Sequence, residues 1–240
     1  MSRGALLTGT AGGIIGTITA VIGIIWSIIA FQYLTGISNF KISAPIYSFL
    51  LGSWFAIPFV ASPNEAYYLI FFVFSIILFI FLVVTGILVG VGFYGVSTVG
   101  GGGMGVVALI FSIIGCIGAG LLILLGNLIT TREYTLVFGF PLDVTSFSYG
   151  SIPVPNFLTI GIGFLILGAT VIILGTANIA MRNSTAMPAA STAAGIISII
   201  GASFFLIGAL NLPILLLIGF IMIFVASIFW AIVFFTSRDM

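Results

Sequence analysis

Between Glu65 and Arg132 the chain carries no charged side chain, and between Arg182 and Arg238 it again carries none. Uncharged stretches of that length cannot cover a water-facing surface, and each far exceeds the roughly 20 apolar residues that cross a bilayer as one helix. The remainder of the chain agrees. Of its 240 residues 62% are hydrophobic and 4% are charged, where a soluble domain carries about 25% charged residues. The nine charges, Arg3, Lys41, Glu65, Arg132, Glu133, Asp143, Arg182, Arg238 and Asp239, punctuate apolar runs. This pattern predicts a polytopic integral membrane protein.

Hydropathy marks six candidate spans, at about 11–34, 67–95, 104–130, 156–181, 192–210 and 213–236. Two uncharged runs are too long for one crossing and need internal breaks. In the last run the break is Asn211-Leu212-Pro213, a turn-former followed by a residue that cannot continue a helix. In the earlier run it is the glycine-rich stretch Val96 to Gly103. The fold class expected is an all-α membrane bundle of six helices in three hairpins, forming one polytopic membrane domain over residues 1–240. Short β or irregular structure is expected in two external loops. Ser43 to Pro63 is apolar but contains Pro45 and Pro58, and Tyr47, Trp54, Tyr67 and Tyr68 suit the headgroup level, so this segment reads as an interfacial or re-entrant helix. In the loop from Thr131 to Asn156, the period-two alternation of Tyr134 to Phe140 reads as a strand, with Ile37 to Ser43 as a weaker partner for a small sheet above the bilayer. The triplets Gly13-Ile14-Ile15, Gly105-Val106-Val107 and Gly195-Ile196-Ile197 suggest that the hairpins repeat.

At the N-terminus Arg3 precedes an apolar stretch reaching about Leu34, longer than the roughly 7–15 apolar residues of a secretory signal, so this stretch is expected to stay as the first span. With both termini cytoplasmic, Arg3, Arg182 and Arg238 face inward and Lys41 and Arg132 outward, as the positive-inside rule prefers. The sequon Asn183-Ser184-Thr185 argues for the opposite orientation.

The stretch GVGFYGVSTVGGGGMG, Gly90 to Gly105, matches G-x-G-x-x-G twice. That fingerprint works only at a strand-to-helix turn with an acid about 20 residues on, and here no acid follows until Glu133. The chain has no histidine and one cysteine, Cys116, which removes internal disulfides and histidine-held haem, copper or zinc. Neither cofactor nor metal is expected, and a net charge of +1 gives no basis for nucleic-acid binding. Charged residues within the membrane usually mark ion paths or proton relays, and the six spans contain no Asp, Glu, Lys, Arg or His. The amides Gln32, Asn127, Asn178 and Asn211 lie near span ends, where capping or interface hydration accounts for them. Glu65, Glu133 and Asp143 lie in the external loops without a histidine or nucleophile motif beside them, and Glu133 adjoins Arg132.

The best-populated pattern is small residues at helical spacing: Gly12, Gly16 and Ala20; Gly86 and Gly90; Gly115 and Ala119. In lipid such positions let helix backbones approach closely and gain dispersion contacts. They serve packing within the bundle, contact with a partner subunit, or the wall of a narrow pore. Stretches such as GGIIGTITAVIGIIW, from Gly12, and GIISIIGASFFLIG, from Gly195, resemble in composition the small glycine- and isoleucine-rich polytopic membrane proteins of archaea, a likeness that implies no functional residue. The function expected is that of a non-catalytic accessory or scaffolding subunit of a larger membrane assembly. Its partners would be membrane lipids and membrane proteins, or further copies of itself. A passive pore for a neutral or lipid-like solute is the alternative. A lipid-directed enzyme using Glu65, Glu133 or Asp143 is a third.

Overall fold

The computed structural model describes residues 2–39, 65–100, 103–128, 130–131, 154–210 and 213–238. Its helices are α1 (Ser2–Asn39), α2 (Glu65–Gly100), α3 (Met104–Leu128), α4 (Phe157–Ala180), α5 (Pro188–Gly208) and α6 (Pro213–Ser237). All six are long and apolar enough to cross a bilayer. In hydrocarbon each backbone group must find its partner within its own segment, so continuous apolar runs become helices and end where proline or a polar cap intervenes. Pro188 and Pro213 open α5 and α6, where a missing N–H goes unnoticed. Asn156 caps α4, its side-chain oxygen accepting from Thr159 N at 3.1 Å.

Four expectations need correction or relocation. α1 begins at Ser2 instead of near residue 11. α2 continues through Val96 to Gly100, into the stretch expected to form the break; Val96 and Ser97 are buried, and packing of that last turn outweighs the local preference of the glycines. Ile37 to Asn39 extend α1 instead of forming a strand. The observed β-structure is a two-residue antiparallel pair, Thr130–Thr131 with Val154–Pro155, at the neck of the second long loop. Tyr134 to Phe140 and the segment 43–63 lie outside the described residues.

Each helix packs against its neighbours in sequence, and α6 returns to pack against α1, so the six helices close into a ring. Close approaches fix the directions. On α1, Gly9 meets Gly92 and Phe234, Gly12 meets Val89, Gly13 meets Ala231 and Gly23 meets Phe220, so α1 runs antiparallel to both α2 and α6. Gly120 against Phe79, Gly163 against Ala119, Gly175 against Gly195 and Gly201 against Met222 show the same alternation around the remaining interfaces. An even number of alternating helices lets the last fit beside the first. It also places both ends of the described chain, together with the α2–α3 and α4–α5 connections, at one end of the bundle, called here the terminal end.

The hairpins share an inner register. Gly9, Gly12, Gly16, Thr19, Ala20 and Gly23 of α1 are buried at the same spacing as Gly105, Ala108, Ser112, Gly115, Cys116 and Ala119 of α3. Ser191, Ala194, Ser198, Gly201, Ala202 and Phe205 of α5 repeat it again. Gly13 thus aligns with Gly195, while Gly105 aligns with Gly9, one turn from the position its triplet suggests. The even helices bring most of the bulk: Phe71, Leu78, Leu82 and Phe93 from α2, Phe164 and Leu167 from α4, Phe220, Trp230 and Phe234 from α6. Small residues on one helix of each hairpin therefore receive large ones from the next.

Two apolar clusters fill the ring, each drawing on all six helices. One, around Trp26, Phe71, Phe164, Phe205 and Phe220, lies toward the loop end. The other, around Leu6, Phe93, Met181, Trp230 and Phe234, lies toward the terminal end. α1 and α4 stand opposite one another, so the 5.2 Å contact between the Trp26 and Phe164 rings crosses the centre. Phe164 also meets Phe205 and Phe220, each at 6.0 Å. Ile14, Ile18, Val21, Ile25 and Ile28 show the opposite face of α1 outward, at the three- and four-residue spacing of a helix side turned to lipid.

Candidate functional site

With the described charges at the ends, the interior polar groups are hydroxyls, amides and indoles, and their placement defines what the bundle can bind. Between the two apolar clusters, each helix contributes one hydroxyl near mid-length: Thr19, Thr85, Ser112, Thr170, Ser198 and Ser227. In a membrane interior a hydroxyl must be satisfied locally, and most of these bond back to their own helix. Thr19 Oγ1 donates to Ile15 O at 2.9 Å, Thr170 Oγ1 to Ile166 O at 2.8 Å and Ser198 Oγ to Ala194 O at 2.7 Å. Ser112 Oγ donates to Leu109 O at 3.1 Å. Thr19 and Thr85 also share a hydrogen bond of 2.7 Å across the α1–α2 interface. Several of these hydroxyls face a glycine of the next helix, as Ser112 faces Gly90, Thr170 faces Gly115 and Ser227 faces Gly16. The removed side chain of one helix makes room for the hydroxyl of the other.

A second polar group lies nearer the loop end. Ser75 Oγ accepts from Trp26 Nε1 at 2.7 Å and from Asn127 Nδ2 at 3.0 Å, and donates to Phe71 O at 2.9 Å. Asn127 Nδ2 also donates to Ile123 O at 2.7 Å. One serine hydroxyl so uses its donor and both acceptor positions to join α1, α2 and α3 inside the apolar core. At the other end, Ser191 Oγ donates to the backbone oxygen of Asn178 at 2.8 Å, and Asn178 Nδ2 donates to Leu174 O at 3.3 Å. Asn127 and Asn178 are fully buried. Hydration at the interface, expected for both from their places near span ends, does not apply. The side chains of Gln32, Asn211, Glu65, Glu133 and Asp143 lie outside the described residues.

The small residues singled out in the sequence all lie at interfaces within the ring. Gly12 meets Leu88 and Val89, Gly16 meets Ser227 and Thr85, Gly86 meets Ser112 and Cys116, and Gly90 meets Ser112 and Leu109. Gly115 meets Thr170, Ala119 receives Gly163, and Ala20 is buried. The nucleotide fingerprint resolves in the same way. Gly90, Gly92 and Gly95 are interior to α2, packed on Ser112, Gly9 and Ala5, with their backbone N–H groups inside a helix instead of at a strand-to-helix turn.

Trp26 and Ser75 carry the best-connected interior group and were not singled out by sequence. The available signal was Ser75 alone in LIFFVFSIILFIF, a hydroxyl in a run of thirteen residues where it must find a partner from another helix or its own backbone. Chemically, the described interior holds hydrogen-bonding groups and one thiol, Cys116. Among the described residues, the groups bonded to Ser75 are the Trp26 indole, the Asn127 amide and the Phe71 carbonyl, none of them a base of the kind that activates a serine nucleophile.

Ser227 Oγ and Trp230 Nε1 are buried without a hydrogen-bond partner. Removing one unsatisfied hydroxyl costs no bond, and burying it costs about 1–3 kcal/mol. Ser227→Ala is therefore expected to leave the thermal midpoint in detergent unchanged or higher, and a clear drop would show that Ser227 is bonded. No family model matches the chain, and no curated protein and no solved structure matches it.

Proposed function

We propose that the protein is a non-catalytic, six-span accessory or scaffolding subunit of a larger membrane assembly, with both termini on the cytoplasmic side. The filled ring carries this reading. Trp26, Phe71, Phe164, Phe205 and Phe220 occupy the centre, Met181 and Phe234 occupy the terminal end, and the ionisable side chains described are Arg3, Tyr94, Cys116, Arg182 and Arg238. Among the described residues the centre is packed with these rings and no acid faces a base, which supports a role exercised through the outer surfaces. A passive pore is the weaker reading, because the contact between Trp26 and Phe164 stands where a lumen would run. The orientation rests on Arg3, Arg182 and Arg238 sharing one end of the ring.

Native mass spectrometry after mild extraction from the protein's own membrane tests the proposal. The expected result is a species much heavier than the 25.2 kDa chain that contains other polypeptides in fixed ratio. A stable lone monomer contradicts it, and a homo-oligomer without other chains shifts the reading toward the pore.

A further inference from the structure

We draw no further inference here: the strongest candidate, the α6 side-chain pair of the Ser227 hydroxyl, which faces Gly16 of α1, and the Trp230 indole, both buried without a hydrogen-bond partner, carries nothing, because close-packed helices seal both atoms and nothing among the described residues opens a space beside them for a ligand.

Discussion

Gly12→Leu is expected to destroy the folded bundle. A Cβ at this position would stand 2.6 Å from Val89 N and 2.8 Å from the carbonyl carbon of Leu88. These atoms are backbone of α2, so no side chain can swing aside, and the two helices must separate along the seam that also holds Thr19 against Thr85. Overpacking a core commonly costs about 1–3 kcal/mol. A forced separation of backbones lies at or above the top of that range, against a typical total stability of about 5–15 kcal/mol. The measurement is thermal unfolding and gel filtration of the detergent-extracted variant, with aggregation or a much lower midpoint expected. Gly4→Leu and Gly118→Leu are the matched controls, since nothing lies within 4 Å of a Cβ at either, and both should behave as the wild type. Wild-type behaviour of Gly12→Leu would mean that α1 and α2 do not meet here.

Ser75→Ala is expected to have the second largest effect. It removes an acceptor shared by Trp26 Nε1 and Asn127 Nδ2. Asn127 keeps its bond to Ile123 O, but the indole N–H is left in an apolar core against Phe71, whose ring centre lies 4.9 Å from that of Trp26. Leaving a buried donor unmade costs about 1–3 kcal/mol, and the lost second bond brings the expected destabilisation to about 2–3 kcal/mol, with interhelical bonds in membranes counted at about 0.6–2 kcal/mol. Trp26→Phe in the same background should recover part of the loss, because it removes the orphaned donor while keeping the ring. Absence of any such recovery would separate Trp26 from Ser75. The opposite signs expected for Ser75→Ala and Ser227→Ala are a sharper check than either alone, as both remove one buried hydroxyl from a membrane helix.

The number of helices and most of their limits were legible because lipid leaves a chain few options. A run such as Leu69 to Thr98 without a charge must be a helix, and Pro188 and Pro213 mark where the next ones start. The break at Val96 to Gly103 was read as too wide, since local glycine content says nothing of the packing that holds Val96 and Ser97. Small residues could be read as sites of close approach, but not the helix each one meets. Gly16 faces both Thr85 and Ser227, and the second contact exists only because the ring closes. Closure joins residues from opposite ends of the chain, and no local pattern encodes it. The grouping of Trp26, Ser75 and Asn127 was hidden too, because a polar residue on one helix does not name the neighbour it will meet.

Closure of α6 on α1 underlies the packed interior, the shared terminal end and the proposed surface role alike. A Cβ placed on Gly16 would stand 3.4 Å from Ser227 Cβ, close to the roughly 3.5–4.5 Å separation of disulfide-bonded Cβ atoms. The direct measurement is oxidative cross-linking in intact membranes of G16C/S227C in a Cys116→Ala background, with G4C/S227C as the control. An intramolecular disulfide at the monomer position, absent from the control, is the result expected. No cross-link, or a cross-link only between two chains, would contradict the closed ring.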